Sequence, residues 1–325
     1  MSRAALLPTL GDPVLLTYWL SLYPSWSHVV DKLYIQVSSS ADAQITQYIK
    51  KLCFQYNVPY RLVPHVQQHG DNMRDLLEWC TEDYVLFLED DIFIKDSSSL
   101  DHSFCGLESG TYDVIGATRN CASPEIIQAT AKKFNPSGSS PEHQIRVCPN
   151  LWPGPLFAKR EILLLTDRDF NAKYWPAGVF IPHLDFTTSN AVACDTFVWA
   201  SIQLRAHGAK IGYIHSCHAF PEWQLTEKLA NAPWIHYGSL STISSLVENG
   251  AIPPFDSSAV VEQTRRMAFC KLLVDNIQLP QELDYYHIAY CSVIDKYIKE
   301  YPLPAPLLTQ NLSMLKRVLP GVWVC

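Results

Sequence analysis

The run YVLFLEDDIF (84–93) carries five apolar residues straight into three acids, Glu89, Asp90 and Asp91. Adjacent carboxylates raise one another's pKa unless a cation lies between them, so a positive group is expected here. Oxygen ligands of this kind suit a divalent cation, Mg2+ or Mn2+, which keeps several waters and is completed by substrate phosphates. That chemistry points to a nucleotide or nucleotide-sugar substrate. The plain alternative is a solvated acidic turn. Against it, the preceding strand is too apolar for an edge and the acids are too crowded. No G-x-x-x-x-G-K-[ST] occurs, which excludes a P-loop, and no G-x-G-x-x-G supports a dinucleotide site.

The elements that must position these acids alternate. Residues 4–8 read as a strand, 14–23 as a helix and 33–39 as a second strand. Ile45, Tyr48, Ile49, Leu52, Cys53 and Tyr56 have i, i+3, i+4, i+7 spacing, so 41–57 is an amphipathic helix with Ser40 as its N-cap. A third strand follows at 60–65. Met73, Leu76, Leu77 and Cys80 again have helical spacing, and 84–88 is a fourth strand, apolar on both faces. Alternation of this kind makes an α/β fold with a mostly parallel central sheet flanked by helices, and ligands bind beyond the carboxyl ends of its strands. Glu89, Asp90 and Asp91 lie at that edge.

Further along, 113–118 is a strand and 122–148 a loop-rich stretch. Residues 151–166 read as a Gly/Pro turn followed by a short helix. A helix over 195–207 is stopped by Gly208, and 210–215 is a strand. Beyond about 251 the chain reads as helices between prolines (258–277, 280–300, 304–318). Their apolar stripes, Val260, Val261, Met267, Leu272 and Leu273, then Ile288, Val293, Ile294 and Ile298, require a partner surface.

The 325 residues are 48% hydrophobic and 18% charged, a globular composition, and the formal net charge of −7 argues against a nucleic-acid binder. The ten cysteines include no C-x-x-C, and Cys53, Cys80 and Cys194 sit inside apolar patterns as small hydrophobes. This usage suits a reducing compartment, and no apolar run is long enough to span a bilayer, so a cytoplasmic protein without a transmembrane segment is expected.

The first half resembles the GT-A glycosyltransferases, especially the family 2 type of nucleotide-sugar transferase. Pro8-Thr9 resembles the Pro-Thr that ends the family's opening strand. Gly70-Asp-Asn-Met-Arg74 resembles its Gly-x-x-x-Arg helix, and Glu89-Asp90-Asp91 its Asp-x-Asp, with Glu89 where the family usually has Asp. The resemblance implies that Asp91 and Glu89 approach a metal on the donor diphosphate. It places Pro8, Thr9, Asp71, Arg74 and Asp90 around the donor, with Asp71 and Arg74 near the nucleoside. Ser38-Ser39-Ser40 stand where an acid often contacts the base, so the base is not assigned.

Pro153-Gly154 and Lys159-Arg160 resemble the turn and basic helix that the family places near the acceptor. Cys194-Asp195 resembles the Glu-Asp pair whose Asp is the general base of inverting members. Asp195 also stands where an N-cap belongs, and both roles remain open. GT-A enzymes often bring a late histidine to the metal or diphosphate. His215, His218 and His236 are candidates, with His236 favoured because His236-Tyr-Gly-Ser resembles the family's pattern. Lys132, Lys133 and Arg146 are further sources of positive charge.

The expected organisation is a catalytic domain over 1–250, with a donor half to about 110 and an acceptor half over 111–250, then a helical segment over 251–325. The expected function is transfer of a sugar from a nucleotide-sugar donor to a glycan, lipid or protein hydroxyl, with inversion if Asp195 is the base. A nucleotidyltransferase of related fold would show a cation-bearing Gly-rich loop after the first strand, where PTLGDP carries none. A degenerate transferase fold that only binds a glycan or protein is the third reading.

Overall fold

The computed structural model describes residues 1–38, 42–118, 122–135, 150–214, 232–236, 267 and 269–300. Its centre is a seven-stranded sheet built from β1 (Arg3–Thr9), β2 (Lys32–Ser38), β3 (Tyr60–Val63), β4 (Tyr84–Phe87), β6 (Val114–Thr118), β7 (Leu151–Lys159) and β12 (Ile211–Ile214). The spatial order is β12-β6-β7-β4-β1-β2-β3, and all neighbours are parallel except β7, which runs antiparallel to β4 and β6. Helices α1 (Pro13–Leu22), α2 (Ala43–Gln55), α3 (His69–Trp79) and α4 (Ser98–Glu108) connect the early strands. The α/β architecture expected from the sequence is the one observed.

Continuous apolar strands are buried on both faces, and alternate residues of β1 enter different cores. Ala5 and Leu7 join Leu33, Ile35 and the residues of α1 on one face. Ala4 and Leu6 join Tyr34, Val85, Phe87 and the α3 residues Met73, Leu76 and Leu77 on the other. Helix α1 is capped by Asp12, whose Oδ1 accepts from Val14 N at 2.8 Å and Leu15 N at 3.0 Å, with Pro13 at the first helical position. Helix α2 is capped in the same way by Asp42, not Ser40. Ser40 itself lies outside the described residues.

Three stretches differ from their expected structure. Residues 124–134, expected as loop, form helix α5 (Pro124–Phe134), which starts after Ser123 with proline in its first turn. Lys132 and Lys133 end it, in the last turn, where cations suit the helix dipole. Of residues 151–166, expected as a Gly/Pro turn followed by a short helix, 151–159 are the nine-residue strand β7 in the middle of the sheet, and the short helix follows at Arg160–Leu163. The ladder with β6 explains how prolines fit there. Leu156 pairs with Gly116, the register then shifts, and Leu151 pairs with Thr118, so the prolines at 153 and 155 fall in an irregularity where no ladder donor is needed.

The third difference concerns the last described helix, Asp284–Glu300. Its buried stripe is Tyr286, Tyr290, Ile294 and Tyr297, whereas Ile288 is 69% exposed. Of the expected stripe, Ile294 is buried and Val293 and Ile298 pack against the core, while Ile288 faces outward and the tyrosines complete the inward face. Met267, Phe269, Cys270 and Leu273 join the same core as α1, with Phe269 stacked at 5.7 Å from Phe93. Lys51 pairs with Glu282 at 3.0 Å, and Tyr285 donates to Asp42. Val260, Val261 and residues 304–318 lie outside the described residues.

Cys53, Cys80, Cys105, Cys194 and Cys291 carry free thiols. Burial raises Cys53 to about 12 and Cys80 and Cys194 to about 11, so these three behave as core residues. No described helix is long and apolar enough to cross a membrane.

Candidate metal and donor site

The three acids leave β4 at its carboxyl end, where Leu88 N still donates to Leu6 O of the neighbouring strand. A tight turn follows, closed by Ile92 N to Glu89 O at 3.0 Å, and the chain enters β5 (Ile92–Ile94). Strand β5 pairs antiparallel with β13 (Trp234–His236), and the register sets His236 opposite Ile92. Two three-residue strands thus carry a histidine from late in the chain to the acidic turn.

The turn splits the acids. Asp90 points to β1, where its Oδ2 accepts from Thr9 Oγ1 at 2.6 Å, and Thr9 Oγ1 in turn accepts from Gly11 N at 2.9 Å. Burial, then the charge of Asp91, hold the Asp90 carboxyl well above the usual carboxylate range. Glu89 and Asp91 face His236 instead. Its Nε2 lies 3.1 Å from Glu89 Oε2 and 3.2 Å from Asp91 Oδ1, and the imidazole is 1% exposed. Burial works against the imidazolium, but Asp91 and Glu89 outweigh it and raise His236 to about 9. In the metal-free protein, His236 is the positive group that the crowded acids require.

The same geometry suits a metal. Glu89, Asp91 and His236 each offer one ligand atom, all within 4.8 Å of one another. In an octahedron with bonds of about 2.1 Å, adjacent ligand atoms are about 3.0 Å apart. The 3.1 and 3.2 Å separations match that edge, so the donor set fits Mn2+ or Mg2+ once His236 gives up its proton. The single imidazole among oxygens favours Mn2+ over Mg2+.

The residues around Glu89 come from two further elements. Trp152 of β7 donates Nε1–H to Glu89 Oε2 at 3.2 Å. Gly154 of the same strand gives the glutamate room, because a Cβ there would lie 3.1 Å from Glu89 Cγ and 2.5 Å from Ile92 Cδ1. His69, the first residue of α3, brings Nε2 to 3.5 Å from Glu89 Oε1. Trp152 and His69 were not singled out from the sequence. Trp152 adjoins the Pro153-Gly154 turn and His69 adjoins Gly70, but neither spacing announces contact with Glu89.

Helix α3 also holds Asp71 and Arg74, which pair with each other at 2.9 Å on its exposed side. Asn171 Nδ2 donates to Asp71 at 3.0 Å. Gly70 permits this approach, since a Cβ there would lie 2.3 Å from Asn171 N and 2.4 Å from the Phe170 carbonyl carbon. Pro8 lies in β1 opposite Gln36 of β2, one residue before Thr9.

Other expected residues lie elsewhere. Because β7 is antiparallel, its end carries Lys159 and Arg160 to the opposite edge of the sheet. There Lys159 binds Asp113 at 2.6 Å and Arg160 donates to Leu77 O at 3.2 Å. They are structural cations, removed from the acidic turn. Asp195 follows the short strand β11 (Val192–Cys194), which pairs with β8 (Lys173–Trp175), beside the hairpin of β9 (Phe180–Ile181) and β10 (Phe186–Thr187). It is not an N-cap. The following helix, Val198–Ala206, begins after Phe197, which takes a left-handed conformation (φ 67°) and makes no side-chain cap. Asp195 Oδ1 accepts only from the adjacent Thr196 N, at 2.8 Å, which leaves its other oxygen uncommitted among the described residues. Asp185, the next acid in this region, is exposed in a left-handed turn (φ 50°). His215, His218 and Arg146 lie outside the described residues.

No protein-family model matches the chain, and no curated protein does. Solved structures do resemble it. A mannosyltransferase from Pyrobaculum calidifontis in complex with GDP-Man and Mn2+ is 11% identical over 98% of this chain and 85% of its own, with a TM-score of 0.42. Glucosyl-3-phosphoglycerate synthase from Mycobacterium tuberculosis, in complex with Mn2+, UDP and glucosyl-3-phosphoglycerate, is 15% identical over 66% of this chain and 69% of its own, with a TM-score of 0.40. Residues 1–349 of S. aureus TarS are 12% identical over 98% and 89% of the two chains, with a TM-score of 0.40.

Proposed function

We propose that the protein is a metal-dependent glycosyltransferase that moves a sugar from a nucleotide-sugar donor to a hydroxyl of a glycan, lipid or protein. The observation that carries this reading is the delivery of His236 by β13 to Glu89 and Asp91 at the carboxyl edge of β4. Glu89, Asp91 and His236 would hold Mn2+ or Mg2+, whose charge would neutralise the donor diphosphate as it leaves. Thr9 and Asp90 fix the turn that presents these ligands. Asp71 and Arg74, paired on α3, would meet the nucleoside. Asp195 is the proposed base: its uncommitted oxygen would take the proton of the acceptor hydroxyl as the hydroxyl oxygen attacks the anomeric carbon and the bond to the departing nucleoside diphosphate breaks. The free thiols of Cys53, Cys80 and Cys194 support work in the cytosol.

Isothermal titration of the purified protein with UDP, GDP, UTP and GTP, each with and without Mn2+, tests the proposal. Metal-dependent diphosphate binding that Asp91→Ala abolishes is expected. Preference for a triphosphate would favour a nucleotidyltransferase, and no binding under any condition would leave a glycan- or protein-binding module.

A further inference from the structure

Glutamate stands at position 89 where the resembled motif has aspartate, and its longer arm adds a rotor that must be fixed before it can serve a metal. The structure encloses that arm on three sides. Gly154 limits the Cγ position, and Trp152 Nε1 and His236 Nε2 both face Oε2. Among the described residues, His69 faces Oε1, through Nε2 at 3.5 Å. This nitrogen is buried and makes no hydrogen bond among the described residues. A buried polar atom left in that state is costly, and 3.5 Å is at the outer limit of a hydrogen bond, so a small rotation of Glu89 toward His69 is favoured. His69 stands outside the compact set of Glu89, Asp91 and His236, on the far oxygen of Glu89.

We propose that His69 is a positioning residue. Its Nε2–H holds Glu89 Oε1, so that Oε2 is turned toward the space shared with Asp91 and His236. The proposal rests on the metal site of the preceding section and adds the residue that makes a glutamate workable there. An imidazole anchored at the start of α3 ties the donor-side helix to the metal ligand, as outer hydrogen-bond partners orient ligating carboxylates elsewhere.

The test measures Mn2+ affinity of the full chain by electron paramagnetic resonance, with the melting temperature of the metal-free protein as a control. His69→Ala is expected to weaken Mn2+ about 10- to 100-fold with little change in melting. His69→Gln keeps an N–H donor and should restore most of the affinity. In a Glu89→Asp background, whose shorter arm cannot reach His69, His69→Ala should add no further loss, which a double-mutant cycle reads directly. Unchanged affinity in His69→Ala, with wild type binding Mn2+, overturns the role of His69 alone. Failure of wild type to bind Mn2+ overturns the metal reading and this role with it.

Discussion

The Thr9 hydroxyl donates to Asp90 Oδ2 at 2.6 Å, and this bond turns the middle acid away from its two neighbours. Burial holds the Asp90 carboxyl above its ordinary pKa, so the folded state disfavours the ionised form that the unfolded chain carries at neutral pH. Asp90 therefore costs stability there. Asp90→Asn should match or exceed wild type in urea unfolding at pH 7, because the amide oxygen still accepts from Thr9. Thr9→Val removes the donor and leaves the carboxyl buried without it, at about 1–3 kcal/mol. A strongly destabilised Asp90→Asn would mean that the carboxyl is ionised in place.

His236 sets a pH dependence of opposite origin. Its pKa rises from 6.5 to about 9 on folding, so its stabilising contribution is complete below the lower value and disappears as pH rises through the upper one. Metal-free wild type should lose melting temperature across that window. His236→Gln should start lower and change less. Equal slopes in the two proteins would remove His236 as the cation between the acids.

Gly70→Ala sets two effects against each other. Alanine raises helix propensity by up to about 1 kcal/mol. Its Cβ would meet the backbone at Phe170 and Asn171 at 2.4 and 2.3 Å, and backbone cannot swing aside as a side-chain tip does. Overpacking of this kind costs about 1–3 kcal/mol, so the net change should be a lower melting temperature. A stabilised variant would show that the 170–171 segment yields.

Asp195→Asn separates base from structure. The residue caps no helix, so stability should change little, and only the Thr196 N–H contact, which Asn also accepts, is at stake. Loss of a general base typically slows turnover by about 10²–10⁴. A drop of less than about tenfold, or 1.36 kcal/mol in the barrier, with donor binding intact, would end its candidacy and point to a retaining reaction.

How much of this was legible beforehand depends on the range of the interactions. The alternation of β1 to β4 with amphipathic helices is written in local periodicity, and so is the placement of Glu89 and Asp91 at a strand end. Strand β7 was hidden because Pro153 and Pro155 read as breakers, and only the register shift opposite Gly116 shows why they are tolerated. The β5–β13 pairing is too short to leave a periodic signal, so His236 was reachable through resemblance alone. The sequence left Asp195 open between base and cap, and the cap reading falls because Phe197, an unusual residue for a left-handed position, takes the helix start. His69 carries no sequence signal, since its contact depends on the depth at which Gly70 seats α3.

The antiparallel meeting of Ile92 and His236 also has a consequence in time. His236 lies 145 residues beyond Asp91, and translation at roughly 5–20 residues per second leaves a gap on the order of ten seconds between them. A nascent chain thus carries Glu89, Asp90 and Asp91 well before their counter-charge has been made. The donor-side half is synthesised with its acidic turn still repelling itself, and that turn settles only when β13 arrives.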